Sequence, residues 1–131
     1  MVARLLEQTA RAIYDARGPK AVHPGQWAAL RYIALAGKSA RTVGGVAEYL
    51  GVTHAPASRA VAALARKGLV TVKADPQDRR IRRIELTPAG VKLLERDPVQ
   101  RVMAAIDSLD PARRDAFADT LKELYQKLAG L

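Results

Sequence analysis

Positive charge is concentrated in one stretch of the chain, residues 54–83. The 131 residues include 22 Lys and Arg against 13 Asp and Glu, a net charge of +9. This stretch contributes +6, because it holds two acids and eight cations. The cations are Arg59, Arg66, Lys67, Lys73, Arg79, Arg80, Arg82 and Arg83. A solvated surface mixes charges of both signs, whereas a site for a polyanion concentrates one sign. The pattern therefore predicts that the protein binds nucleic acid.

The residues that could perform catalysis or bind metal are few and scattered. His23 and His54 are far apart and have no other ligand-type residue nearby. Four acids have the positions of helix caps or first-turn residues: Asp97, Asp107, Asp110 and Asp115. The chain has no Ser-His-Asp pattern and no glycine-rich phosphate loop. It also lacks cysteine, which excludes disulfides, thiolate metal sites and thiol redox sensing. We therefore expect that the protein is not an enzyme and that it binds no metal or cofactor.

The N-terminal segment is amphipathic and carries Glu7 and Asp15, so it does not have the pattern of a signal peptide. No later segment is long and apolar enough to cross a bilayer. Together with the absence of cysteine, this favours a cytoplasmic protein.

The cations lie on elements that resemble a helix, a tight turn, a second helix and a hairpin. Val43 to Leu50 has apolar residues at helical spacing, and Gly51 can adopt φ > 0 to reverse the chain. Thr53 is placed to cap a second helix that ends before Gly68. Its predicted buried residues are Ala57, Val61, Leu64 and Ala65.

Two strands with alternating apolar residues follow. Val70 and Val72 mark the first, Ile84 and Leu86 the second, and residues 75–78 form the turn. The predicted fold is mostly α with a small β-wing: a winged helix-turn-helix. This fold can place one helix in a DNA major groove with the hairpin tip beside it.

Amphipathic helices flank this region on both sides. A first helix is predicted from Val2 to Ala16, and a second begins at His23 and ends near Ala36. A later one runs from Thr87-Pro88 to about Arg96, with a break at Asp97-Pro98 and a last helix starting at Asp110-Pro111. Their predicted inward residues are Leu5, Leu6, Ala10 and Ile13; Trp27, Leu30, Ile33 and Ala34; Val99, Val102, Met103 and Ile106; and Phe117, Leu121, Leu124 and Leu128.

The apolar stripes at the two ends are not needed to build a winged helix. We therefore expect them to bury each other and the same stripes of a second copy, forming a homodimer. A dimer would place two DNA-binding helices one duplex turn apart, matching a pseudo-palindromic operator. The chain is predicted to be one domain of residues 1–131, with the winged helix at about 27–90 and dimerisation helices at about 2–17 and 98–129.

Residues 27–90 resemble the MarR (multiple antibiotic resistance regulator) family of winged-helix transcription factors, and residues 46–70 and 75–90 carry the resemblance. The wing pattern of the family is matched by Asp75, Asp78, Arg80, Leu86, Thr87 and Gly90. The flanking helices have the order of the family, so the resemblance covers nearly the whole chain. Two features depart from it: the break at Pro98 and a short first helix. The resemblance implies a DNA-binding transcriptional regulator, most often a repressor.

The resemblance also implies residue roles. In the family, the helix equivalent to residues 54–67 enters the major groove, and the arginine equivalent to Arg80 reaches the minor groove. The candidate DNA-binding residues are Thr53, His54, Ala55, Ser58, Arg59, Arg79, Arg80 and Arg82, and Ala62 shares their helix face. Arg59 matches guanine O6 and N7, although a phosphate contact is the alternative. Thr53 and Ser58 suit phosphate oxygens, and Asp78 is expected to orient Arg80.

Family members commonly bind small, often aromatic, effectors between the dimer helices and the DNA-binding lobe. By this resemblance, Tyr14, Trp27, Arg31 and Val91 are candidate residues of an effector pocket. An aromatic or apolar anion is the expected ligand, with Arg31 favouring its charge. The alternatives are that Trp27 belongs to the core, and that the winged helix serves protein contact or non-specific DNA binding without ligand control.

Overall fold

The computed structural model describes residues 1–14, 18 and 21–130. Its helices and strands are α1 (Val2–Ile13), α2 (Pro24–Leu35), α3 (Val43–Leu50), α4 (His54–Arg66), β1 (Val70–Ala74), β2 (Arg82–Leu86), α5 (Pro88–Leu94), α6 (Val99–Asp107) and α7 (Pro111–Ala129). A 3₁₀ turn, Lys38–Ala40, precedes α3. The chain divides into two compact units, Met1–Asp97 and Pro98–Leu131. The first contains α1 to α5 and both strands, and the second contains α6 and α7.

The core of the first unit lies where α2, α3 and α4 meet the strands. Its largest fully buried side chains are those of Leu30, Ile33, Val46, Leu64 and Ile84. Each element buries a single apolar face, because these residues recur at helical or strand spacing. The mostly α fold with a small β-wing is thereby confirmed.

The turn between α3 and α4 forms as the sequence predicts. Thr42 caps α3, since its hydroxyl oxygen accepts a hydrogen bond from the Gly45 amide at 3.0 Å. Gly51 ends α3 in the left-handed region at φ 66°, and the Val52 amide donates to the Ala47 carbonyl. This conformation is one that glycine adopts without steric cost. These local backbone bonds set the turn after which α4 starts at His54.

The wing is a two-stranded antiparallel hairpin. Val70 pairs with Leu86 and Val72 with Ile84, so these four side chains share the face that packs on the core. Thr42 forms an isolated bridge with Arg83, and the Ile84 amide donates to the Arg41 carbonyl at 2.8 Å. The outer edge of β2 is thus joined to the chain just before α3.

Helix α5 approaches the turn before β1 closely. Thr87 caps α5 through the Gly90 amide, and the Thr87 hydroxyl donates to the Gly68 carbonyl at 2.6 Å. A Cβ atom at Gly90 would overlap the Leu69 carbonyl oxygen. Glycine is required here because the helix lies against backbone.

Several predicted details of the helices are wrong. Ala34 is exposed and Ala29 is buried instead, because alanine contributes little to an apolar pattern and does not mark a face. α5 ends at Leu94 and not near Arg96. The predicted end of the first helix, Ala16, lies outside the described residues. The break near Pro98 is observed, since α6 begins at Val99.

The terminal helices keep their apolar side chains accessible in the single chain. In α1, α6 and α7, whose residues are all described, no residue is fully buried. Leu5, Leu6 and Phe117 are exposed, whereas Ile13 and Leu124 are half-buried. The inward orientation predicted for Leu5, Leu6 and Ala10 is therefore not met within one chain. Their burial requires another surface.

No helix among the described residues is long and apolar enough to cross a membrane.

Candidate nucleic-acid interface

Helix α4 has one buried face and one open face. Ala57, Val61, Ala63 and Leu64 are buried against the core. The predicted DNA-binding residues His54, Ala55 and Arg59 are exposed, as is Ala62, and Ser58 is half-buried. Pro56 lies in the first turn, where its missing N–H leaves no helical bond unmade. The helix therefore presents polar and small side chains on a surface held by its own core face.

Thr53 is the N-cap residue of α4, but its side chain makes no capping hydrogen bond. The predicted position is confirmed, whereas the predicted side-chain cap is not observed. The hydroxyl of this exposed residue is consequently not engaged by the helix amides.

A groove of about 670 Å³ lies between α4, the wing and the start of α3; we call it the α4–wing groove. His54, Ser58, Ala62 and Arg66 line it at intervals of four residues along α4. Arg80 and Arg82 line it from the wing, and residues 42–44 from the start of α3. The structure therefore brings together five predicted positions, counting Ala62, while Thr53, Ala55, Arg59 and Arg79 lie outside its lining.

Arg66 was missed as a site residue, although it lines this groove. Its spacing of four from Ala62 and eight from Ser58 places it on the same helix face, and that spacing could have identified it from sequence. The start of α3 was also missed, because its proximity depends on the fold and not on local sequence.

An ion pair between Arg83 and Asp75 holds the wing turn. The Arg83 Nε donates to Asp75 Oδ2 at 2.8 Å, and the Arg83 Nη1 donates to the Ser39 carbonyl at 2.6 Å. The other Asp75 oxygen accepts from the amides of Gln77 and Asp78. The Arg83 hydrogen bond, followed by these amides, lowers the pKa of Asp75. In its charged form, the Asp75 carboxylate therefore links β2 to the turn that follows β1.

Asp78 is positioned to orient Arg80. Its two carboxylate oxygens accept from Arg80 Nε at 3.1 Å and from Nη2 at 3.2 Å. The Arg80 hydrogen bond, followed by the Arg80 backbone amide, lowers the pKa of Asp78. The Arg80 side chain remains 91% exposed at the wing tip. The Arg80 guanidinium therefore pairs with Asp78 and stays accessible to solvent.

Tyr14, Arg31 and Asp97 form a cluster away from the α4–wing groove. Arg31 donates from Nε to Asp97 Oδ2 at 2.6 Å and from Nη2 to Asp97 Oδ1 at 2.8 Å. Nη2 also donates to the Tyr14 hydroxyl at 3.1 Å. The Asp97 hydrogen bond is the main reason that the pKa of Arg31 is raised. A carboxylate of the protein already neutralises the cation that was expected to attract an anionic effector.

The other two candidate effector residues, Trp27 and Val91, differ in their exposure to solvent. Trp27 is buried in the core of the first unit, and Val91 is exposed on α5. Asp97, expected at a helix cap, is the buried partner of Arg31. Among the described residues no group of three His, Cys, Asp or Glu side chains could hold a metal ion.

Part of the chain matches the model of a known protein family. The model of the MarR family matches residues 22–81, from the start of α2 to the wing tip. A search of the curated proteins by sequence finds no match.

Solved structures match almost throughout the chain. The S. aureus MepR–DNA complex is 24% identical, with 82% of this chain and 80% of that chain covered and a TM-score of 0.70. The PcaV regulator of Streptomyces coelicolor with its natural ligand is 23% identical, with 95% and 89% covered and a TM-score of 0.73. Bordetella bronchiseptica BpsR, whose DNA binding is regulated by 6-hydroxynicotinic acid, is 24% identical, with 95% and 98% covered and a TM-score of 0.71. These likenesses show the fold of the chain, and the matched family model shows that residues 22–81 are similar to the MarR family.

Proposed function

We propose that the protein is a homodimeric, sequence-specific regulator of transcription that binds double-stranded DNA and acts as a repressor relieved by a small-molecule effector. It would act in the cytoplasm, without catalysis of its own. The observation that carries the proposal is the α4–wing groove, in which Arg66, Arg80 and Arg82 face the open side of α4.

The charge distribution supports DNA as the ligand. Residues 54–83 hold most of the net positive charge, and the open face of α4 carries no acid. Cations on such a surface release counterions from the phosphate backbone when they bind DNA. Ala55 and Ala62 leave space for α4 to approach the bases, and the wing tip lies beside it. The MepR relative in complex with DNA supports the same inference.

The accessible apolar faces of α1 and α7 support a homodimer. Leu5 and Leu6 are exposed on α1, and Phe117 and Leu128 are exposed on α7. Exposed apolar patches on a helix are typical of protein interfaces. Two α4 helices related by a two-fold axis would contact a pseudo-palindromic operator.

We expect Arg59→Ala to weaken binding to the best operator by about 1–3 kcal/mol and to relax discrimination at one base pair in each half-site, because Arg59 would donate to a base edge. Operators selected from random duplexes at fixed salt supply the measurement. Lys122→Ala removes one positive charge at an exposed position of α7 that lies outside both the α4–wing groove and the apolar stripe, and it is the matched control. Equal weakening on all sequences would make Arg59 a phosphate contact. A wild-type protein that selects no sequence would refute the proposed function.

Arg80→Ala should weaken operator binding and flatten its salt dependence, since a cation in the minor groove releases counterions. Affinity measured across a salt series tests this. Asp78→Asn keeps Arg80 but reduces the charge that orients it, so we expect a smaller loss of affinity than for Arg80→Ala. Unchanged affinity and salt slope for Arg80→Ala would show that the wing does not contact DNA.

For the effector we propose a small aromatic acid, as ligand binding in the PcaV and BpsR relatives suggests. An effector changes DNA affinity only if it binds the DNA-competent dimer and the incompetent dimer differently. Near Trp27 it would have to compete with Asp97 for Arg31. Trp27 is the only tryptophan, so its fluorescence reports on the site. We expect an aromatic acid to change this fluorescence and to weaken operator binding. If no compound in a broad panel of aromatic acids changes the Trp27 fluorescence or the operator affinity, ligand control is refuted.

A further inference from the structure

Lys67, the residue that follows α4, makes hydrogen bonds far from its own helix. Its ammonium donates to the Ala21 carbonyl at 2.6 Å and to Gln26 Oε1 at 2.5 Å. Ala21 lies just before α2, and Gln26 lies in its first turn. The C-terminal end of the proposed DNA-binding helix is thus joined to the N-terminal end of α2.

The Gln26 oxygen has a second role. It accepts a hydrogen bond from the His23 amide at 3.3 Å, which belongs to the capping box of α2. One amide oxygen therefore both closes the start of α2 and binds the end of α4. The position of Lys67 is tied to a helix terminus that is itself ordered by capping.

Two ordinary roles for Lys67 fit less well. A lysine after a helix can act on the helix dipole, or it can bind a DNA phosphate as an exposed cation. Lys67 is instead half-buried, and two of its three donors have acceptors within the protein. Burial, and to a smaller extent the charge of Arg66, lower its pKa. It is also not among the residues that line the α4–wing groove.

The length of α4 makes the position of its C-terminal end important for the opposite end. A helix of 13 residues is about 20 Å long. A rotation of about 5° around the C-terminal end moves the first turn by nearly 2 Å. Such a displacement is larger than the range of lengths that a hydrogen bond tolerates. Small changes at Lys67 would therefore disturb contacts made by His54, Ser58 and Arg59.

We propose that Lys67 and Gln26 are positioning residues for DNA binding, and that the hydrogen bond between them fixes the direction of α4 relative to α2. This inference rests on the proposed DNA binding. Neither residue contacts DNA in this proposal, and both act through the placement of α4.

The test compares Lys67→Met, Gln26→Met and the double variant with the wild-type protein on the operator that the wild-type protein selects. Each methionine keeps the aliphatic stem and removes the polar end. We expect each single variant to lose about tenfold in affinity. The double variant should lose clearly less than the two single losses combined, because both changes remove the same Lys67–Gln26 hydrogen bond. Gln26→Glu keeps the acceptor and is the conservative control, with affinity within about twofold of wild type.

Two further readouts separate positioning from other roles. The salt slope should stay unchanged in Lys67→Met, whereas loss of a phosphate contact would reduce it by about 1. Stoichiometric titration with operator gives the fraction of folded, binding-competent protein, so that affinity is compared only for folded molecules.

A reduced salt slope with a neutral Gln26→Met would make Lys67 a phosphate contact and overturn the proposal. If the folded fraction of both single variants binds the operator with normal affinity, the pair has only a structural role, even when thermal stability is lower. That result would also overturn the proposal. Additive losses in the double variant would show that the two residues act separately, which also contradicts it. If the wild-type protein itself selects no operator, the proposed function fails first.

Discussion

Replacing Asp97 with alanine should lower the free energy of unfolding by about 2–3 kcal/mol, because the Arg31 guanidinium would lose its counter-ion and two hydrogen bonds. Removing one partner of a fully buried ion pair lowers the free energy of unfolding by more, about 3–5 kcal/mol. Here the side chains are 18% and 9% exposed for Arg31 and Asp97, so water screens part of the remaining charge. Urea unfolding at a fixed protein concentration measures the change.

A double replacement provides the control for this ion pair. Arg31→Met with Asp97→Leu removes both charges and fills the space with apolar groups. We expect this variant to be more stable than Asp97→Ala alone, since no uncompensated charge remains. A double variant as unstable as the sum of the single changes would show that the ion pair is not the source of the effect.

The double variant Leu121→Asp with Leu124→Asp should yield monomers or unfolded chains. Both residues belong to the apolar stripe of α7, where Leu121 is 36% exposed and Leu124 is half-buried within one chain. If this stripe lies in the subunit interface, each new carboxylate would be buried there without a partner, at a cost of several kcal/mol. Light scattering measures the mass, and circular dichroism measures the helix content.

The control for this prediction uses the same helix. Ala116→Asp with Gln126→Asp introduces the same change in charge at exposed positions outside the stripe. This variant should remain a folded dimer. If the variant with both leucines replaced were also a folded dimer, the placement of α7 in the interface would be refuted.

The sequence predicts those parts of the fold that depend on local signals. The bounds of α3 and the start of α4 follow from apolar spacing and from Gly51, whose left-handed conformation is a property of the residue itself. The wing follows from alternation of apolar residues around a turn of Asp and Pro. Asp78 contacts Arg80 as expected, because the two residues are only two positions apart. Such features need no knowledge of distant chain segments.

Interactions between distant segments could not be predicted in this way. Arg31 and Asp97 are 66 residues apart, and Lys67 and Gln26 are 41 residues apart. No spacing rule connects either pair, so from the sequence Arg31 is assigned to an effector, and Lys67 counts only among the cations of residues 54–83. The exposure of Ala34 was mispredicted for another reason: a small side chain gains little from burial, so the pattern around it is weak.

The join between β2 and the segment before α3 has a consequence for self-association. A free outer edge on β2 would present unpaired amides and carbonyls next to Ile84, which is a template for pairing with another chain. The bridge from Thr42 to Arg83 and the bond from Ile84 to Arg41 occupy part of that edge. During folding the local hairpin can form within microseconds, whereas this join must first close a loop of about forty residues. Until this loop closes, the outer edge of β2 stays open to pairing with another chain.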